Sequence, residues 1–413
     1  MSPLSAAASG KDVCLEQRNP SHCSIFASNC THRPDLMMYA KYFIPAALAL
    51  LITSAAYAKA GDRYKVRMPD NLSYRSNELF RAFENYHHPR TANLRERYGL
   101  EKIIQAEADE FRRIMLLRHW IHSTMPIDDP NAARTAPDVF AILETAMQGG
   151  KFNCFHFAVV QHAVLNSFGY ITRTLGVGPG RNASGIDGHH AANEVWVNPL
   201  GKWVLVDAKY DLHFEKNGVP LSALEIRDEV WSNEARDVTA AFGLERKPAV
   251  PQINDRDWGI WATPQNYRWV SWDLNTNSFT TYPANTPSSA LVMYEDRIYK
   301  EHIWFRDGKP HWAYGTPFLV KTARRDWIYW TPNTIASRVA VAGDRALITL
   351  DSFTPNFRNY QVRVDGQAWR DCEPSFEFEI ENKDHQLVFR SVNLFGVAGP
   401  EHRIEIVRKK GSF

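Results

Sequence analysis

Cysteine is scarce in this chain: five among 413 residues, and three of them, Cys14, Cys23 and Cys30, fall within the first 36. No C-x-x-C and no H-x-x-x-H pair occurs, so the common short frames for a structural or catalytic zinc are missing. There is no P-loop and no G-x-G-x-x-G, which removes phosphate-cradling and dinucleotide-binding chemistry. Charge of one sign is also lacking. The formal net charge is +2, with 23% charged residues and no basic tail, so there is no nucleic-acid footprint. Internal repeats and low-complexity runs are absent, which excludes solenoids and disordered linkers. Neither a metal nor an organic cofactor is expected.

A long apolar run occurs once, YFIPAALALLITSAAYA over 42–58, preceded by Lys41 and ending in Ala56-Tyr57-Ala58. Basic flank, apolar core and small-residue site make up an export signal. Pro45 interrupts the run, and its length is short for a membrane span. The region 1–58 is therefore read as an N-terminal extension plus a signal peptide at roughly 37–58. The mature protein, secreted or periplasmic, is expected to start near Lys59 with no stable membrane span. Whether Met37, Met38 or the first residue opens the chain is left open. Asn71-Leu72-Ser73 and Asn182-Ala183-Ser184 are glycosylation sequons, relevant only where the host glycosylates exported proteins.

What the chain does have is Cys154, His190 and Asp207, in that order, each in an ordered context. Gly149 and Gly150 end the helix-like segment DVFAILETAMQ. Beyond Cys154, Phe157, Val160, Val164 and Phe168 recur at offsets of three and four, an apolar stripe of a helix that Gly169 closes. Cys154 then lies in the first helical turn, where free N–H groups favour thiolate and can hold an oxyanion. Val195, Val197, Val204 and Val206 alternate as in two strands, and Asn198-Pro199-Leu200-Gly201 supplies the turn. With that four-residue loop, Val197 faces Lys202, Trp196 faces Trp203 and Ala192 faces Asp207. His190 then becomes the diagonal neighbour of Asp207 on one sheet face, a separation of roughly 7–8 Å that these side chains can close. A one-residue slip would part them, so the register selects His190 over His189. Thiol, imidazole and carboxylate are the parts of an activated nucleophile. Asn153 and the Cys154 N–H are the oxyanion candidates. The remaining histidines, His156, His162 and His189, do not compose a metal site with Cys154, since Cys154 and His156 point to different sides of a helix. A disulfide between Cys154 and Cys372 is the structural alternative for the thiol.

A cysteine opening a helix, a G-Y-I-T-R strand start and then H-A-A-N-E-V-W-V-N-P-L-G-K-W-V-L-V-D resembles the transglutaminase-like superfamily over roughly residues 105–230. The resemblance implies a papain-like α+β core with Cys154 as nucleophile, His190 as base and Asp207 as its orienter. It implies the fold more than the substrate, because the superfamily holds acyltransferases, proteases, amidases and members without catalysis. One departure stands out: members commonly carry Trp two residues after the histidine, where this chain has Ala192.

The expected organisation is an N-terminal arm at 59–104, a transglutaminase-like domain at 105–244, an aromatic-rich β region at 245–332 and a fibronectin-III/immunoglobulin-like β-sandwich at 333–413. Ala106 to His122 reads as a helix, 126–137 as a loop and LSALEIRDEVW as a helix or turn that closes the catalytic core. Residues 245–332 hold eight of the thirteen tryptophans. Most should pack in cores, while some could stack on sugar rings. ALITLDSF, YQVRVDG, SFEFEIEN, HQLVFRSVN and HRIEIVRK are five regularly spaced strands. The expected fold class is thus α+β. The function expected first is an exported thiol hydrolase, acting on an amide or acyl bond of a protein, peptide or cell-surface glycan. Transfer to an amine remains open as the alternative outcome of the same intermediate. Two other readings stay open. One is a non-catalytic cell-surface or polysaccharide-binding protein on the same core. The other is a glycan-cleaving enzyme using Asp187, Glu194 or Asp207.

Overall fold

The structure, a computed structural model, describes residues 63–68, 79–80, 82–129, 131–180, 188–248, 258–281, 290–298 and 319–409. The export signal, both sequons, Asp187, Trp304 and Trp312 lie outside them.

After strand β1 (Tyr64–Arg67) come five helices: α1 (Pro89–Tyr98), α2 (Leu100–Ile104), α3 (Glu110–Thr124), α4 (Val139–Met147) and α5 (Cys154–Ser167). Helix α3 starts four residues later than its apolar periodicity suggests. Asp109 stops it by accepting a hydrogen bond from the Arg112 N–H at 2.7 Å, the work of an N-cap. Asp138 caps α4 in the same way. The apolar stripe expected on α5 is there, but the helix is buried nearly all round, Gln161, His162, Asn166 and Ser167 included. The reason is its position between α1, α3 and α4 and the sheet below.

That sheet has six strands in the order β10-β9-β8-β2-β3-β4. They are β2 (Thr172–Gly178), β3 (His190–Val197), β4 (Lys202–Val206), β8 (Trp269–Asp273), β9 (Leu291–Tyr294) and β10 (Leu319–Thr322). All pairs are antiparallel except β9 with β10. The β3–β4 register is the one the turn length implies, with Trp196 opposite Trp203 and Val197 opposite Lys202. Val195, Val197, Val204 and Val206 face the helices, in one core with Phe157, Val160 and Val164. Each such fully buried side chain contributes about 2 kcal/mol. Ala192, Trp196, Trp203 and Leu205 face the other way, into a second core closed by helix α6 (Ala223–Asn233) and the aromatics Trp261, Tyr267, Trp272 and Trp330. Ser222 and Glu225 cap α6 reciprocally. A small sheet of β5 (Leu212–Lys216), β6 (Val219–Pro220) and β7 (Thr239–Phe242) completes this side.

The aromatic-rich segment is therefore not a separate β region. Its strand β8 pairs with β2, Trp272 opposite Leu175, so it extends the sheet that carries the hairpin. Local periodicity identified strands there but could not name their partners. The N-terminal arm likewise divides: α1 and α2 join the helical layer, while β1 pairs with β17 (His402–Arg408) at the far end of the chain.

The C-terminal strands are β11 (Ile335–Ala342), β12 (Arg345–Ser352), β13 (Phe357–Val364), β14 (Arg370–Cys372), β15 (Ser375–Glu379) and β16 (His385–Asn393). With β1 and β17 they form two antiparallel sheets, β1-β17-β16-β13-β14 and β11-β12-β15. Ala346, Ile348 and Leu350 of the smaller sheet share one core with Val362, Leu387, Phe389, Ile404 and Ile406 of the larger. This unit is docked, not merely tethered. Phe395 packs so closely on Gly169 that a Cβ there would overlap its ring, and it meets Tyr86 edge-on at 4.7 Å.

Candidate active site

Asp207 follows the last residue of β4, where the chain turns back into β5. Its N–H and C=O both bond Leu212, at 2.9 and 3.1 Å, closing a tight loop over 208–211. Asp211 adopts a positive φ of 50° at the end of that loop. Carboxylate oxygen Oδ1 of Asp207 accepts from the N–H groups of Lys209 (2.9 Å) and Tyr210 (3.3 Å). Oxygen Oδ2 meets His190 Nε2 at 2.6 Å. The loop is itself bolted to the helices. Gln161 of α5 accepts from the Ala208 N–H, His122 of α3 bonds the Lys209 carbonyl, and buried Arg118 pairs with Asp211 at 2.8 Å. These contacts fix the carboxylate, and the carboxylate fixes the imidazole.

His190 is fully buried, whereas His189 is exposed. The indole of Trp261 stacks on the His190 ring, centroids 5.1 Å apart and planes 20° from parallel; Tyr210 lies against it at 5.3 Å. With Nε2 held by Asp207, Nδ1 is left over, and among the described residues it has no hydrogen bond of full geometry. Cys154 is nonetheless within reach of it. Burial opposes ionisation of the thiol, yet the hydrogen bond and charge of His190 outweigh that cost, helped by the Lys209 ammonium and the Ala191 N–H, and hold its pKa below the ordinary value. Burial would lower His190, but Asp207, aided by Cys154, pushes it up to about 9. Both shifts run toward a thiolate beside an imidazolium, the direction an activated cysteine needs.

The thiol, imidazole and carboxylate singled out in sequence are thus brought together. Residues 99–208 match the transglutaminase-like superfamily. No curated protein matches the chain. The match ends one residue past Asp207 and covers the helices α2 to α5 and the hairpin.

Around this transglutaminase-like domain the structure adds residues that sequence reasoning missed. Trp261 comes from helix α7 (Trp258–Trp261), 71 positions beyond the histidine it covers, so no spacing signals it. Lys209 is a buried cation, bonded to Asp129 at 2.5 Å and to the Tyr210 hydroxyl at 2.7 Å. Two readings are corrected. Glu194 is no acid/base candidate. Its oxygens are occupied by Arg173 (2.7 and 3.0 Å), Trp272 Nε1 (2.8 Å), the Ala223 N–H (2.8 Å) and the Tyr329 hydroxyl. The paired Arg173 sits 4.1 Å from the Trp203 ring, inside the second core. Cys154 and Cys372 are both free thiols, the latter raised to about 11 by burial. Asn153 takes the N-cap of α5, and His162 is spent on buried Glu84 at 2.8 Å. Among the described residues no group of three or more His, Cys, Asp or Glu could hold a metal, and no helix is long and apolar enough to cross a membrane.

Proposed function

We propose that this protein is an exported thiol hydrolase that cleaves an amide or acyl bond through a Cys154-His190-Asp207 triad and a covalent acyl-enzyme. The observation carrying this reading is the buried imidazole with Nε2 fixed by Asp207, beside a thiol whose pKa the same ring holds down. The Cys154 thiolate attacks the carbonyl carbon, and the C=O electron pair moves onto oxygen. The Cys154 N–H and the Asn153 amide receive that oxyanion. Collapse expels the amine, which takes the proton from His190 Nδ1 and leaves a thioester on sulfur. Water then attacks, His190 accepts its proton, and the acid leaves as the thiol is restored. Water is favoured over a second amine because nothing in the sequence identifies a site for an acceptor. A protein, peptide or cell-surface glycan bearing such a bond is the substrate class. Export with removal of the signal before Lys59, and a fibronectin-III-like role for the two C-terminal sheets, belong to the same reading.

Alkylation by iodoacetamide near pH 7, mapped by mass spectrometry, tests it. Cys154 should react far faster than Cys372, whose pKa of about 11 leaves only about one thiolate in ten thousand at that pH. Cys154→Ser should abolish turnover with the fold intact. If Cys154 reacts no faster than Cys372, the thiol mechanism is wrong. The binding reading would then lead. It is supported by a cavity of about 250 Å³ lined by Trp196, Trp203 and Tyr329 with Lys202, Glu225 and Arg325 at its polar wall.

A further inference from the structure

Asn153 occupies the N-cap of helix α5 with extended backbone angles, φ −97° and ψ 177°, yet its side chain makes no capping hydrogen bond. An N-cap asparagine ordinarily turns its Oδ1 onto the second or third N–H of the helix. Here Oδ1 is engaged elsewhere, 2.8 Å from His156 Nδ1. The His156 ring is buried, with Phe152 against it at 5.1 Å and Phe155 at 5.6 Å. Burial also holds this imidazole below its ordinary pKa, so near neutrality it is uncharged and must donate from Nδ1 to satisfy the amide oxygen. Diverting the cap has two consequences. The first turn of α5, with Cys154 at its head, receives no hydrogen bond from the N-cap side chain. With Oδ1 held by His156, Nδ2 is the end of the Asn153 amide left to donate elsewhere.

We propose that His156 is a positioning residue for the oxyanion site: by holding Asn153 Oδ1 it uncaps helix α5 and aims the Asn153 amide nitrogen, with the Cys154 N–H, at the oxygen that becomes negative when Cys154 attacks a carbonyl. This rests on the thiol-enzyme reading above and assigns a task to a histidine outside the triad.

Two reagents separate positioning from mere packing. p-Nitrophenyl acetate acylates the thiolate: the S–C bond forms, the carbonyl electrons pass to oxygen and return, and p-nitrophenolate leaves. Iodoacetamide alkylates the same sulfur by displacing iodide at a saturated carbon, with no oxyanion. His156→Phe keeps the ring volume and removes the donor. It should slow acylation of Cys154 by about 100-fold, the usual cost of losing one oxyanion donor, and leave alkylation unchanged. His156→Asn, which presents an amide N–H close to the place of Nδ1, should restore acylation. Asn153→Ala, at a half-buried position, should reproduce the selective loss. Acylation at the wild-type rate in His156→Phe or Asn153→Ala overturns the proposal, and so does a matched fall in both reactions. If wild-type Cys154 is no faster than Cys372 with either reagent, the thiol reading itself has failed and the role of His156 with it.

Discussion

Replacing Asp207 by asparagine removes one charge and almost no volume, and its effect on stability should depend on pH in a defined direction. Burial alone would push the His190 imidazole down, but Asp207, with a smaller contribution from Cys154, lifts it from 6.5 to about 9. At 1.36 kcal/mol per pKa unit this corresponds to about 3 kcal/mol of folding free energy, most of it from the carboxylate. Ring and carboxylate are both buried, so water screens little of it. The folded protein binds this proton more tightly than the unfolded chain. The stabilisation is therefore complete below about pH 6.5 and is lost as pH rises through about 9. Urea unfolding followed by tryptophan fluorescence should find Asp207→Asn weaker than wild type by about 3 kcal/mol at pH 6. The two proteins should approach each other by pH 10. An asparagine can still accept from the Lys209 and Tyr210 N–H groups, so the loop itself should survive. A gap of equal size at both pH values would mean that Asp207 acts through the loop alone, and would refute the ion-pair argument.

Two further outcomes follow from the same geometry and a third from the sequence of the apolar N-terminal run. His190→Ala should suppress turnover as fully as Cys154→Ser, while His189→Ala should be mild because His189 is exposed; the opposite ranking would exchange their roles. Glu194→Gln should destabilise the fold by about 3–5 kcal/mol by leaving buried Arg173 uncompensated, whereas the double variant with Arg173→Met should lose less than the two single losses combined. Strict additivity in that cycle would count against a coupled pair. N-terminal sequencing of exported protein should read Lys59 first, and recovery of residues 1–36 would discard the signal assignment.

Wherever the information is local, the sequence determined the outcome. The hairpin register could be derived because strand side chains alternate with period two and a four-residue loop permits one alignment, so His190 and Asp207 meet and His189 does not. Helices α4 and α5 were legible from apolar spacing and the glycines that end them, though α3 starts later than its periodicity because Asp109 ends the non-helical approach. Non-local pairing carried no such signal. Strand β8 reads as a strand from its own residues, but nothing in them says that it joins β2, and β1 gives no hint that it lies beside β17. The role of Glu194 was misread for the same reason, since its partners come from β2, α6, β8 and the residue after helix α8 (Arg325–Ile328). Only tertiary packing brings Trp261 over His190 and seals Arg173 with Glu194. Those contacts depend on which surfaces exclude water together, and that is decided by the whole chain and not by any segment of it.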